Sequence, residues 1–239
     1  MKAKIHSFES MATLDGDGVR YAVFLAGCPL RCQYCHNPDT WGGGVEMDSE
    51  ALLKKIERYK PYFQNGGGVT FSGGEPLLQA EFICEIAEKF NQVGIKYALD
   101  TSGHVNLSEN VKKAVEMAEL VILDLKFWDK ESYQKYTNGD FEKVIAFAEF
   151  LQLTNKRVWL RTVVVPNIND SAEILDRYTA IAKRFSCVEK YELLAFHTMG
   201  FFKYDKLGIE NPLKNTKALD ADKLAQLQQY VNSKLIQNG

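Results

Sequence analysis

Apolar runs of strand length recur at 21–26 (YAVFLA), 69–72 (VTFS), 95–100 (IKYALD), 120–125 (LVILDL), 158–165 (VWLRTVVV) and 191–196 (YELLAF), and they predict six strands. Between most of them the apolar positions switch to a helical period. Leu52, Leu53, Ile56 and Tyr59 follow the cap residue Asp48; Phe82, Ile83, Ile86 and Phe90 make a second stripe; Val111, Ala114, Val115 and Ala118 make a third after Ser108. Over 171–185, Asp170 and Glu173 have capping-box spacing, and Ile174, Leu175, Tyr178, Ile181, Ala182 and Phe185 share a face. Leu224, Leu227, Val231 and Leu235 predict a last helix near 221–236. Alternating strands and helices pair their strands in parallel, and near-continuous apolar strands such as LVILDL are buried on both faces. Six such units predict an α/β fold, an incomplete (β/α)6 barrel of parallel strands with outer helices. An open doubly wound sheet shares that periodicity and is the alternative. No linker, repeat or low-complexity block interrupts the pattern, so residues 1–239 are expected to form a single domain.

Composition narrows the partners. With 239 residues and 46% hydrophobic content the chain has material for a sizeable core. Its 29 basic and 31 acidic residues give a net charge of -2, without the basic excess of a nucleic-acid surface, so no nucleic-acid partner is expected. No apolar stretch approaches the roughly 20 residues that span a bilayer. The run YAVFLAGC imitates the end of an export signal, but Asp15, Asp17 and Arg20 stand just before it where a basic entry would be needed. A soluble, cytoplasmic protein with no membrane partner is the expectation. Three of the five cysteines cluster, while Cys84 and Cys187 are isolated. An odd, clustered set makes a poor disulfide framework and points to a reducing compartment. Cys84 and Cys187 read as core or surface thiols.

In barrels and open parallel sheets, chemistry gathers beyond the carboxyl ends of the strands. Here the first strand runs into the cysteine cluster, the second into SGGEP, and the third into DTSG with Asp100. The fourth carries Asp124 and Lys126, the fifth Arg161, and the sixth delivers His197. Asp124 and Lys126 are two apart and so share a face, where a charged pair needs a partner or a ligand. Gly73 and Gly74 either permit a tight turn or let a ligand approach the backbone. Neither the phosphate loop G-x-x-x-x-G-K-[ST] nor G-x-G-x-x-G after a strand is present, which removes the main support for nucleotide hydrolysis and dinucleotide-dependent dehydrogenation.

The stretch GCPLRCQYCHNPDTW places Cys28, Cys32 and Cys35 close together, with His36 next to the last. Thiolates suit zinc or an iron-sulfur cluster. With His36 as fourth ligand the motif is a closed zinc site, as in a non-catalytic binding module; without it, a cluster held by three cysteines keeps one iron open. Adjacent Cys35 and His36 reach one tetrahedral ion only with strain.

The spacing C-x-x-x-C-x-x-C, with the aromatic Tyr34 before the last cysteine, resembles the signature of the radical S-adenosylmethionine superfamily. FSGGEP is similar to its Gly-Gly-Glu motif. Together with IHSFES, DGDGVR, CHNPDTW, LDTSG, VILDLK, VWLRTVVVP and LLAFHTMG, these stretches resemble the pyruvate formate-lyase-activating family of glycyl-radical-enzyme activases over nearly the whole length. Relatives that activate other glycyl-radical enzymes carry a cysteine-rich insert after the third cysteine. Here the 36 residues between Cys35 and Ser72 hold no cysteine. Two departures stand out: Asp17 where the family has proline, and Ala195 where it has proline near the last histidine.

The resemblance implies a 4Fe-4S cluster on Cys28, Cys32 and Cys35. It implies S-adenosylmethionine as co-substrate, cleaved reductively to a 5'-deoxyadenosyl radical that takes the alpha hydrogen of a glycine. It places Gly73, Gly74 and Glu75 at the methionine amino group, and Tyr34, Cys35, His36, Asp124, Leu125, Lys126 and His197 around the co-substrate. Asp100, Thr101 and Asp124 resemble a monovalent-cation site, and Arg161 is expected inside the barrel as a carboxylate or ribose contact. The implied partners are pyruvate formate-lyase and a reduced flavodoxin or similar donor, with the chain a monomer. Activation of another glycyl-radical enzyme, or radical chemistry on a small molecule, are the alternatives.

Overall fold

The computed structural model describes residues 1–236. Eight strands form one sheet: β1 (Lys2–Ala12), β2 (Arg20–Leu25), β3 (Val45–Asp48), β4 (Gly68–Gly73), β5 (Tyr97–Thr101), β6 (Leu120–Asp124), β7 (Val158–Val164) and β8 (Val188–Ala195). Their order is β3-β1-β2-β4-β5-β6-β7-β8. From β2 to β8 every pairing is parallel, which gives the six strands expected. β1 and β3 were not expected; they extend one edge in antiparallel fashion.

Side chains near the ends of all six parallel strands, from Phe24 on β2 to Leu194 on β8, line one chamber. A flat sheet would hold these residues apart, so the sheet is curled, and with no β1–β8 or β3–β8 pairing the barrel stays incomplete. The alternative of an open doubly wound sheet is thereby set aside.

The helices are α1 (Ser49–Glu57), α2 (Ala80–Gln92), α3 (Glu109–Met117), α4 (Lys130–Thr137), α5 (Phe141–Leu153), α6 (Ala172–Ala182), α7 (Phe201–Leu207) and α8 (Ala221–Ile236). The caps expected at Asp48 and Ser108 are in place, each accepting from the amide three residues on. For α6 the expected cap is displaced by one: Ser171 accepts from the Ile174 amide, while Asp170 accepts from the Asn167 amide in the preceding turn. The core lies between strands and helices, where Phe71 stacks on Phe90 of α2 and Phe82 of the same helix joins the cluster, all at 2% exposure or less. Each such ring contributes about 1.5–3 kcal/mol by leaving water.

The amino ends of the strands are tied by a charge. Arg20 is fully buried, pairs with Glu119 at 2.8 Å and donates to the Val69 and Gly66 carbonyls. Cys84 and Cys187 are buried, free thiols of this core. No described helix is long and apolar enough to cross a membrane.

Candidate functional site

The chamber at the carboxyl ends of the strands holds about 270 Å³ and is open to solvent. An apolar void among Leu123, Leu125 and Leu151 holds only about 10 Å³, less than one water needs, and belongs to the core.

Cys28, Cys32 and Cys35 all face the chamber. Their loop leaves β2 at Leu25 and is held from three sides. The Arg31 and Gln33 amides donate to the Thr137 and Tyr136 carbonyls at the end of α4. The Arg31 guanidinium caps the Cys28 carbonyl at 2.8 Å and lies over the Trp41 ring. From α7, the Tyr204 hydroxyl donates to the Cys35 carbonyl at 3.0 Å, and the Lys203 ammonium donates to Asn37 at 2.7 Å and Asp39 at 3.0 Å. Burial pushes the Cys28 thiol up to about 11 and the Cys32 thiol to about 12, and also raises Cys35. Without metal the three stay protonated, and loading must release those protons.

The zinc reading needs His36 as a fourth ligand beside the three thiols. Three thiols on one chamber wall suit an iron-sulfur cluster without it. His36 lines the chamber, but its Nε2 lies 3.1 Å from the His197 carbonyl. A carbonyl only accepts, so that nitrogen carries the proton. The two imidazoles stack at 3.7 Å; burial first, then His197, lowers His36 to about 4. Both rings are neutral near pH 7.

The turn after β4 explains its glycines by packing. A Cβ on Gly73 would sit 2.3 Å from the Leu25 carbonyl oxygen, and one on Gly74 would sit 2.1 Å from that of Gly27. The Gly74 and Glu75 amides are spent on those same carbonyls, at 3.0 and 2.8 Å. What this turn offers a ligand is carbonyl oxygen, which suits an ammonium.

Three of the residues expected at the co-substrate have side chains that stand off the chamber wall. Glu75 does not line the chamber: fully buried, it accepts from the Leu77 amide, the Thr101 hydroxyl, and the Ser102 amide and hydroxyl. It is a hub beneath the site with its acceptor capacity taken. Leu125 alternates away from Asp124 and Lys126 into the apolar core. His197 lies behind His36 and outside the chamber wall.

Asp124 and Lys126 face the chamber and pair at 2.8 Å. Burial works against the ammonium, yet Asp124, Tyr34 and Cys32 around it hold its pKa well above the ordinary lysine value. Arg161 lines the chamber, paired with Glu192 at 3.1 Å and donating to the Leu14 carbonyl. The Tyr34 hydroxyl is buried at the chamber wall with no partner. An orphaned hydroxyl there is a vacancy for a ligand, since burying it unpaired costs about 1–3 kcal/mol. Asp100 accepts from the Ser72 hydroxyl at 2.6 Å. Thr101, expected beside Asp100 and Asp124 at a cation, turns its hydroxyl to Glu75 instead.

Burial, then the neighbouring Asp124, raises Asp100 to about 7. A raised carboxyl stabilises the fold fully below its unfolded value near 4 and loses that contribution as pH climbs through about 7. Cofactor-free protein is therefore expected to lose stability between pH 4 and 7, and Asp100→Asn to flatten that slope. Urea midpoints across the range check this; parallel slopes for the two proteins would refute it.

Sequence reasoning missed Ser72, Asp15, Asn37, Thr40 and Ser102 of the chamber wall, although each lies in or beside a quoted motif. It also missed Lys203 and Tyr204, for which no local signal exists.

A curled sheet of parallel strands with three cysteines open at its rim defines the radical S-adenosylmethionine class, and the family model described as Radical SAM superfamily matches residues 23–178. The pyruvate formate-lyase-activating enzyme of Clostridium pasteurianum is 43% identical over 235 residues, 97% of this chain and 98% of that one. The pyruvate formate-lyase 1-activating enzyme of Escherichia coli (strain K12) is 40% identical over 218 residues, 90% and 89% of the two chains. The chain belongs to the pyruvate formate-lyase-activating enzymes of the radical S-adenosylmethionine superfamily, whose members use a 4Fe-4S cluster and S-adenosylmethionine. Among solved structures, Streptococcus suis SuiB bound to precursor peptide SuiA is similar with a TM-score of 0.68 at 16% identity, over 88% of this chain and 44% of that one. A domain of the pyruvate-formate lyase-activating enzyme from Bacteroides vulgatus gives 0.58 at 22% identity, over 71% and 95%. These two likenesses concern the fold.

Proposed function

We propose that this protein activates pyruvate formate-lyase by generating a glycyl radical on it. The convergence of Cys28, Cys32 and Cys35 with the Gly73-Gly74 turn and the Asp124–Lys126 pair on one chamber carries the reading. Near end-to-end likeness to enzymes of that name supports the choice of target.

In this reading Cys28, Cys32 and Cys35 hold a 4Fe-4S cluster. The carbonyls of the Gly73-Gly74 turn receive the ammonium of S-adenosylmethionine, with Tyr34, His36, Asp124 and Lys126 around the rest of it. When bound, these groups supply reductive cleavage of the sulfonium and a 5'-deoxyadenosyl radical that takes the glycine alpha hydrogen. The chain's own part is to position and to exclude water. The Asp100 and Asp124 carboxylates invite a monovalent cation beside the co-substrate. A reduced flavodoxin or similar one-electron donor, a monomeric state, one domain over the whole chain and a place in the cytoplasm in anaerobic glucose metabolism complete the proposal.

The test mixes reconstituted protein, reductant, S-adenosylmethionine and pyruvate formate-lyase labelled with deuterium at its glycines. A glycyl radical by electron paramagnetic resonance, with deuterium in 5'-deoxyadenosine, is expected. Cleavage without a protein radical would instead favour a small-molecule substrate.

A further inference from the structure

The sheet leaves one stretch of backbone edge unpaired beside the chamber. β3 covers the outer edge of β1 only from Lys2, opposite Asp48, to Ile5, opposite Val45. β1 runs on to Ala12 and pairs on its inner side with β2 through Ser7, Phe8 and Glu9. Among the described residues, no strand pairs the outer edge from His6 to Met11. Met11 turns the chain at a positive φ of 65°, so the extended part of this open edge runs from His6 to Ser10, and its row of donors and acceptors is a template for a further extended chain.

A groove of about 340 Å³ lies against this edge. His6, Ser7, Phe8 and Glu9 form one side and Lys203 of α7 the other. Its remaining walls are Phe24, Asn37 and Thr40, which also line the central chamber. The groove therefore adjoins the site of chemistry across a shared wall. Asp39, in contact with both His6 at 3.3 Å and Lys203 at 3.0 Å, links β1 to α7 across the gap that the incomplete barrel leaves.

We propose that the free edge of β1 from His6 to Ser10 receives the glycine-bearing segment of the partner polypeptide as an added strand, leading it along the groove to the chamber. The inference rests on the function proposed above, and that chemistry selects the occupant. The atom removed is a backbone hydrogen, so a stretch of polypeptide has to reach the chamber. Its amides and carbonyls need partners on the way, and the strand edge supplies them. Lys203 on one side of the groove is already held by Asp39 and Asn37, so the charge the groove offers is the Glu9 carboxylate on the other, which suits a polar segment bearing a basic side chain.

The test uses cofactor-loaded protein and a synthetic peptide copied from the glycine segment of pyruvate formate-lyase, N-methylated at one residue at a time. Ladder bonding engages alternate amides, so every second N-methyl group on the paired side is expected to weaken binding about tenfold, and the intervening ones to leave it unchanged. Hydrogen exchange within His6–Ser10 is expected to slow when the unmodified peptide binds. Tolerance at every position, loss without a two-residue period, or protection arising only from pairing of β1 with a second copy of this chain would overturn the inference. Radical formation on whole pyruvate formate-lyase is recorded separately. A radical with no periodic scan sinks only the docking mode, whereas absence of radical and of hydrogen transfer sinks the function itself.

Discussion

Cys32→Ala protein, reconstituted anaerobically with iron and sulfide, is expected to lack the broad visible absorbance of a 4Fe-4S cluster and to cleave S-adenosylmethionine more than about 100-fold more slowly than the parent. The magnitude follows from what ligands do: removing a group that merely supports a metal ligand costs about 10–100-fold, and removing the ligand itself exceeds that. Cys32 is 8% exposed, packs in the core cluster and lines the chamber, so alanine leaves the fold with a small void and no new polar group. Thermal unfolding of the cofactor-free variant should match the parent within a few degrees. If all three cysteines were replaced and glycyl radicals still formed, the cluster would have no role in the reaction.

The second large effect is expected from Gly74→Ala, which adds a single methyl group. That methyl would sit 2.1 Å from the Gly27 oxygen, 2.8 Å from the Gly27 carbonyl carbon and 3.1 Å from the Cys28 Cβ. Two of these are backbone atoms that have no rotamer to escape by. Relief requires β2 and the turn after β4 to part, which breaks the bonds from Gly74 to Leu25 and from Glu75 to Gly27 and moves the first cysteine off its station. Overpacking of this kind costs about 1–3 kcal/mol, and the displaced ligand adds a loss of iron. Gly42→Ala, in the connection from β2 to β3, is the control: its φ is -147° and nothing lies within 4 Å of the added carbon. Iron per chain and the melting temperature decide between them. Full iron loading in Gly74→Ala would show that Cys28 is not held through this contact.

The six parallel strands were legible because burial on both faces leaves long apolar runs, and the cysteines and glycines because their spacing serves chemistry at strand ends. β1 escaped notice for a physical reason. Its register shifts between Ile5 and Ser7, and again between Glu9 and Ala12, so buried residues do not fall at a period of two. β3 is short and largely exposed at the edge. α4 is mostly polar, and α5 is apolar on nearly every side, so neither shows a stripe. Within the site, a place in a motif did not always mean a side chain at the chamber wall. Leu125 stands between two residues that face the chamber, and alternation alone sends it the other way. Glu75 has the chemistry to meet an ammonium, yet the Thr101 and Ser102 hydroxyls reach it first. That competition is three-dimensional and leaves no trace in local sequence.

The grip of α7 on the cysteine loop sets an order of events in the making of this enzyme. Cys35 is fastened by Tyr204, and Asn37 by Lys203, groups that emerge from the ribosome more than a hundred and sixty residues later. A nascent chain that has already displayed all three thiols still lacks their clasp, so a cluster handed over during synthesis would land on an unsecured loop. A secured cluster therefore waits for α7 to be made and docked.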